Sequence, residues 1–203
     1  KHNIIIASTG IGKTEAALLW IGNEKGFFTL PLKVSINAIY DRIKDNIGHD
    51  RQKLGLLHSD MKMEYIQRNN GNLDFDLYNH AKQMSMPLTV CTLDQLIDFV
   101  FKCEGYELKM ATLSYSKLVI DEIQMYSPEM IGYLILALRD IHYLGGKFCI
   151  LTATLPPIFL NFLNKQIPDY EFYPQIFCKK NSVNKDFIRH KIKVHEKSID
   201  VRI

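Results

Sequence analysis

Three short polar blocks, each directly after an apolar run rich in β-branched residues, constrain the fold of this chain most. They are residues 7–14 (ASTGIGKT), 121–124 (DEIQ) and 152–154 (TAT). Near-continuous apolar runs are typical of parallel strands buried on both faces of a sheet. Ligands of such sheets bind at the edge formed by the C-terminal ends of the strands. The pattern therefore predicts an α/β fold, a doubly wound and mostly parallel sheet, with all three blocks at one edge.

The first block has the features of a phosphate-binding loop. A strand predicted over residues 3–7 precedes it and a helix predicted over 14–20 follows, which is the context that this motif requires. Glycines let backbone N–H groups curl around phosphate oxygens, and the helix N-terminus favours negative charge. The predicted ATP-binding residues are Thr9, Gly10, Gly12, Lys13 and Thr14. The lysine is expected on the β- and γ-phosphates and the threonine hydroxyl on Mg²⁺.

The second block supplies two carboxylates at the end of an apolar strand predicted over residues 117–120. Two acids in such a place are unfavourable without a partner, and Mg²⁺ is the partner expected downstream of a phosphate loop. Asp121 is predicted to hold the metal with Thr14, and Glu122 to orient or deprotonate the attacking water. Together with Lys13, these two acids are the predicted catalytic residues.

The third block follows a strand predicted over residues 147–151. Thr152 and Thr154 carry small hydroxyl groups that could link the acids to a moving part of the protein. A plain strand-to-helix turn, with Pro156 near the first helical position, explains the same residues.

Composition fits one compact domain with a basic tail. The chain has 203 residues, 47% of them hydrophobic, and is long enough for a sizeable core. No apolar run reaches the roughly 18 residues of a membrane span, and no signal peptide is evident, so no membrane partner is expected. Residues 179–203 hold eight basic and three acidic residues. We predict a motor lobe over residues 1–168 and a basic linker or strand over 169–203; contact of this tail with phosphates is the alternative.

Periodicity predicts alternating strands and helices between the blocks. Strands are predicted over residues 27–30, 53–57 and 88–92, and helices over 34–47, 93–102 and 130–143. Residues 61–83 are polar and mixed, with a break at 69–72.

The three blocks resemble motifs I, II and III of superfamily 2 helicases, whose motor domains have the P-loop NTPase, RecA-like fold. Further blocks narrow the resemblance to the helicase-nuclease of type I CRISPR systems. They are Leu30-Pro31 with residues 37–43 (NAIYDRI), residues 57–59 (LHS), residues 92–96 (TLDQL), and the proline Pro156 after the third block. The resemblance spans residues 4–156.

The resemblance implies a cytoplasmic prokaryotic antiviral enzyme that moves 3′ to 5′ on single-stranded DNA with ATP and Mg²⁺. Its partners are an RNA-guided CRISPR surveillance complex, an HD nuclease domain or subunit, and a second RecA-like lobe, which this sequence does not contain. It also implies coupling roles for Gln124, Thr152 and Thr154, and DNA-binding roles for Pro31, Lys33, Ser35, Thr92 and Gln95. Gln124 departs from the histidine common in the family, and Leu32 from a threonine.

Two other functions stay open at this point. One is another superfamily 2 nucleic-acid-dependent ATPase, such as an RNA helicase, because the motor chemistry is shared. The other is a non-catalytic nucleic-acid-binding module on the same fold, against which the intact Lys13, Thr14, Asp121 and Glu122 argue. The adjacent pair His49-Asp50 does not predict a nuclease site, since such a site needs several dispersed ligands.

Overall fold

The computed structural model describes residues 2–46, 53–167 and 173–175. Within them a parallel sheet of seven strands has the order β3-β4-β2-β5-β6-β1-β7. The strands are β1 (Asn3–Ile6), β2 (Gly26–Thr29), β3 (Leu54–Leu57), β4 (Leu88–Cys91), β5 (Lys117–Asp121), β6 (Lys147–Thr152) and β7 (Tyr173–Gln175). The helices are α1 (Lys13–Ile21), α2 (Lys33–Asn46), α3 (Met61–Arg68), α4 (Phe75–Lys82), α5 (Asp94–Ile97), α6 (Tyr106–Ser114), α7 (Pro128–Tyr143) and α8 (Pro157–Gln166).

The central strands are buried on both faces, as their apolar sequences predict. Every residue of β2, β3 and β4 is buried, and so are all but the first residues of β5 and β6. Because crossovers between parallel strands are right-handed, the strand order implies that α1 and α2 lie on one face of the sheet and α5 to α8 on the other. In agreement, α7 contacts α5, α6 and α8. The core therefore consists of two apolar layers separated by the sheet.

The register of the strands brings their C-terminal ends to one edge. Ile6 of β1 lies beside Thr152 of β6, and Asp121 of β5 lies beside Leu151. Because β6 lies between β1 and β5, the third polar block separates the phosphate loop from the two acids. The fold thus places the three blocks side by side, and the predicted fold class is confirmed.

Several elements differ from the sequence predictions. The helix expected over residues 93–102 is a single turn, α5, followed by a 3₁₀ helix over Asp98–Phe101. The polar segment 61–83 forms two helices, and the break between them holds Asn70 and Gly71 at positive φ. The sequence analysis did not predict α6 or α8.

Residues 173–175 lie beyond the predicted boundary at 168 and add β7 to the sheet, beside β1. Apart from residues 173–175, the predicted basic linker or strand over 169–203 falls outside the described residues, and so does the pair His49-Asp50. No helix in the described part of the chain is long and apolar enough to cross a membrane.

Candidate nucleotide-binding site

The loop between β1 and α1 has a backbone shape that depends on glycine. Gly10 and Gly12 have φ values of 82° and 94°, in the left-handed region that glycine adopts without steric cost. The N–H of Ala7 donates to the carbonyl oxygen of Thr152 at 2.9 Å, which fixes the start of the loop to β6. No side chain caps the N-terminus of α1, so its N–H groups face the cleft without a side-chain acceptor. The loop is therefore suited to bind an anion.

Lys13 lies at the bottom of this loop, with only 6% of its side chain exposed. Its Nζ donates to the carbonyl oxygen of Ala7 at 3.1 Å and lies 3.7 Å from Oε1 of Glu122. The structure thus brings together the cation of the first block and an acid of the second, as the sequence predicted for one site.

The carboxyl group of Asp121 is buried beside this lysine. Its Oδ1 accepts from the backbone N–H of Glu122 at 2.8 Å, and the residue is 6% exposed. Burial raises the pKa of Asp121 to about 6, and the neighbouring charge of Glu122 adds to the rise, while the backbone hydrogen bond and Lys13 oppose it. A carboxylate with so little solvation favours a cation as ligand.

A chain of hydrogen bonds connects the second block to the third. Nε2 of Gln124 donates to Oε2 of Glu122, and Oγ1 of Thr152 donates to Oε1 of Gln124 at 2.6 Å. Thr152 also lies 2.6 Å from the carbonyl oxygen of Thr154 and accepts from its N–H at 3.2 Å. Glu122 has a φ of 51°, an uncommon conformation for a residue other than glycine. The three predicted coupling residues thus form one connected group with Glu122.

The phosphate loop and the two acids line a cleft of about 550 Å³ at the C-terminal edge of the sheet, whereas Gln124, Thr152 and Thr154 are not part of its lining. Thr9, Thr14 and the two glycines line it together with Lys13 and both acids. Two charged residues in the lining were missed by the sequence analysis as site residues, namely Glu15 of α1 and Arg42 of α2. They form an ion pair across a separation of 27 residues, which no local pattern predicts.

The predicted nucleic-acid contacts lie in the loops after β2 and β4 (Pro31 and Thr92) and in the first turns of the helices that follow, α2 and α5 (Lys33, Ser35 and Gln95). The Nζ of Lys33 pairs with Oδ2 of Asp60 at 2.6 Å. Thr92 is 7% exposed, and its hydroxyl has no partner among the described residues. Nε2 of Gln95 donates to its neighbour Asp94 at 3.0 Å. Pro31 and Ser35 are partly exposed beside Lys33.

A larger cavity lies elsewhere in the described part of the chain. It has about 710 Å³, lies between α7 and α8, and is lined mostly by apolar residues such as Tyr133, Phe159 and Phe162. Gln124 alone of the predicted site residues reaches it. By volume alone this groove would be the candidate functional site. The ionisable groups converge in the smaller cleft, however, and we therefore regard that cleft as the functional site.

The sheet is RecA-like, and its C-terminal edge carries a phosphate loop, two acids and a strand that ends in a threonine. This combination defines a P-loop motor domain. Residues 1–161 match the model of the DEAD/DEAH box helicase family. The chain belongs to this family and is a helicase motor domain.

More specific relatives confirm the resemblance predicted from the sequence. The CRISPR-associated nuclease/helicase Cas3 of Methanothermobacter thermautotrophicus is 32% identical over 190 residues, covering 89% of this chain and 23% of that protein. The crystal structure of T. fusca Cas3 has a TM-score of 0.69 at 26% identity, and that of T. fusca Cas3-ATP has 0.67 at 26%. Each covers 80% of this chain and 20% of the T. fusca chain. This chain thus spans about a quarter of the length of the curated relatives it matches.

Proposed function

We propose that this chain is the first motor lobe of a type I CRISPR helicase-nuclease, a translocase that hydrolyses ATP while moving on single-stranded DNA. The observation that carries the proposal is the convergence of Lys13, Asp121 and Glu122 in one cleft, with Glu122 connected through Gln124 to Thr152. Nucleotide binding is further supported by the similarity to the T. fusca Cas3-ATP structure.

The donor groups in the cleft fit Mg²⁺. Magnesium prefers hard oxygen ligands and keeps several waters, and Thr14 and Asp121 offer a hydroxyl and a poorly solvated carboxylate. When bound, the ion would offset charge on the phosphates. Thr14 and Asp121 are the residues that we assign to it.

The remaining groups have distinct tasks in this proposal. Lys13 binds the terminal phosphates, and Glu122 orients the attacking water and accepts its proton. Gln124 is hydrogen-bonded to both Glu122 and Thr152. A movement of Glu122 during hydrolysis is therefore transmitted through Gln124 to Thr152 at the end of β6 and on to Thr154. This connection is the basis for the coupling role of the three residues.

DNA is assigned to the loops after β2 and β4 and to the first turns of α2 and α5, with Pro31, Lys33, Ser35, Thr92 and Gln95 as the contacts. In the whole protein we expect a second RecA-like lobe, an HD nuclease and an RNA-guided surveillance complex as partners, in the cytoplasm. The T-x-D-Q block at 92–95 favours this assignment over an RNA helicase.

The test separates binding from chemistry. In the chain joined to its second lobe, Glu122→Gln should lower the ATPase rate by about two orders of magnitude or more, the scale of a lost general base. Affinity for a non-hydrolysable ATP analogue should stay near wild type, because the side chain keeps its shape. Glu107→Gln, at an exposed position on α6, is the matched control and should leave both unchanged. Near-normal turnover in Glu122→Gln would refute the assigned role.

A further inference from the structure

Two side chains of opposite charge meet at the mouth of the cleft. Glu15 lies in the first turn of α1, directly after Thr14, and Nη2 of Arg42 on α2 pairs with its Oε1. The other carboxylate oxygen of Glu15 faces the loop, since a Cβ built on Gly12 would lie 3.7 Å from it. The pair therefore borders the space into which the N–H groups of the loop point.

The charges that line the cleft explain why this pair matters for an anionic ligand. Of the described residues in the lining, three are acids and two are bases. Lys13 lies near Glu122, and Asp121 belongs to the proposed Mg²⁺ site. The negative charge of Glu15 would then repel a bound polyphosphate, and Arg42 is the cation that can neutralise this charge. A guanidinium has five N–H donors in a planar fork, so one carboxylate oxygen does not exhaust it.

Exposure places the pair at the shallow end of the cleft. The side chains of Arg42 and Glu15 are 46% and 45% exposed, whereas that of Lys13 is 6% exposed. A nucleotide whose terminal phosphate reaches Lys13 leaves its inner phosphates and ribose near the mouth. The inference rests on the proposed nucleotide site: we propose that Arg42 is a nucleotide-binding residue that contacts the ribose-proximal phosphates, the part that ATP and ADP share, and that its pairing with Glu15 competes with this contact.

A purely structural ion pair between α1 and α2 is the competing explanation. In that case either substitution breaks the same brace, and both should disturb the loop in the same direction. If Arg42 contacts the ligand, the two substitutions act differently. Removing Arg42 takes away a donor to phosphate, while removing the charge of Glu15 takes away a repulsion and frees the guanidinium.

The experiment measures binding of ADP and of a non-hydrolysable ATP analogue to the 203-residue chain by fluorescence titration. Arg42→Gln should weaken both ligands by the same factor, roughly tenfold, as expected for a charge-assisted hydrogen bond to phosphate. Glu15→Gln should bind both ligands at least as tightly as wild type. Arg139→Gln, which breaks an ion pair with Asp140 on α7 outside the lining of the cleft, is the matched control and should change nothing.

Three results would overturn the proposal. The first is Arg42→Gln affinity within twofold of wild type. The second is similar weakening in Arg42→Gln and Glu15→Gln, which identifies a brace. The third is a loss for the ATP analogue alone, which moves Arg42 to the terminal phosphate. Lys13→Ala in the same series tests the site itself: if it binds both ligands normally, the proposed function fails, whatever the result for Arg42.

Discussion

The carboxyl group of Asp121 lies where its charge is poorly solvated. Its residue is 6% exposed, and its nearest charged neighbours are an acid, Glu122, and the shared cation Lys13. A carboxyl whose pKa rises on folding destabilises the folded state once it ionises. Here the penalty is absent below the unfolded value near 4 and complete above about 6. Function, rather than stability, explains an acid at this position.

We therefore predict that Asp121→Asn stabilises the metal-free protein. At pH 8 in EDTA, the free energy of unfolding should rise by about 1–3 kcal/mol, since one pKa unit corresponds to about 1.4 kcal/mol. The gain should shrink as the pH falls through about 6, where the wild-type carboxyl takes up a proton. Denaturant titrations across this range give the measurement. Asp140→Asn, on α7, is the control, and a destabilised Asp121→Asn protein would contradict the argument.

The sequence indicated which single residues meet in the cleft better than it indicated which side chains pair with each other. Lys13, Asp121 and Glu122 were predictable because each lies in a short motif with its own chemistry. The pairing of Glu15 with Arg42 joins two helices 27 residues apart and depends on how α1 and α2 pack. The positive φ of Glu122 likewise belongs to the turn between β5 and a short 3₁₀ helix over Ile123–Met125, a turn that contains no glycine to predict it.

Among the elements, the segment after β4 is unusual because it contains a buried polar side chain, that of Thr92. The N–H of Thr92 donates to the carbonyl oxygen of Leu57 at 3.2 Å, but its buried hydroxyl has no partner among the described residues. The next turn is held from α6, where Nζ of Lys109 donates to the carbonyl oxygen of Gln95 at 3.0 Å. The backbone of this segment is thus tied to β3 and to α6, and the Thr92 hydroxyl is a buried polar group without a described partner.

Replacing Thr92 and Gln95 together by alanine should weaken binding of single-stranded DNA and reduce DNA-stimulated ATPase in the two-lobe protein. Affinity for nucleotide should not change, because neither residue lines the cleft. Phosphate contacts are blind to sequence, so the loss should appear on random oligonucleotides. Because Thr92 and Gln95 are uncharged and release no counterions, the factor of the loss should be similar at low and high salt. Anisotropy titrations provide the readout. Gln83→Ala, exposed before β4 at the opposite end of that strand, is the control; wild-type DNA affinity at every salt concentration would refute the placement.

Strands were easier to predict than helices in this chain. Their apolar runs are short and bounded by polar blocks, whereas helix α5 ends after one turn because the chain continues as a 3₁₀ helix that packs against α6 and α7. Helix α6 has buried residues only near its end, Thr112 and Leu113, so its sequence lacks a clear apolar stripe. Tertiary contacts determine the secondary structure of such segments, and these contacts cannot be read from a single sequence.

On the scale of the whole molecule, the cleft is bordered by one lobe only. Lys13 and the proposed metal site can stabilise charge from one side of a bound triphosphate. Of the arginines that the structure describes, Arg42 alone lines the cleft, and it lies at the mouth rather than beside Glu122. In phosphoryl transfer, an arginine supplied across the cleft raises the rate by about 10³–10⁵ where it is used. We propose that a second lobe supplies this arginine in the whole protein.

The 203-residue chain by itself should therefore fold and bind nucleotide weakly, hydrolyse ATP slowly, and fail to unwind duplex DNA. Translocation needs two lobes that bind one strand in alternation as they open and close, and a single lobe has no second DNA-binding surface for this. Adding the second lobe should raise ATPase by orders of magnitude, and Glu122→Gln should remove that gain. A strand-displacement assay on the purified chain, with the two-lobe protein as positive control, measures this directly. Robust ATP-dependent unwinding by the monomeric chain would show that one lobe suffices, and the proposed division of labour between the lobes would be wrong.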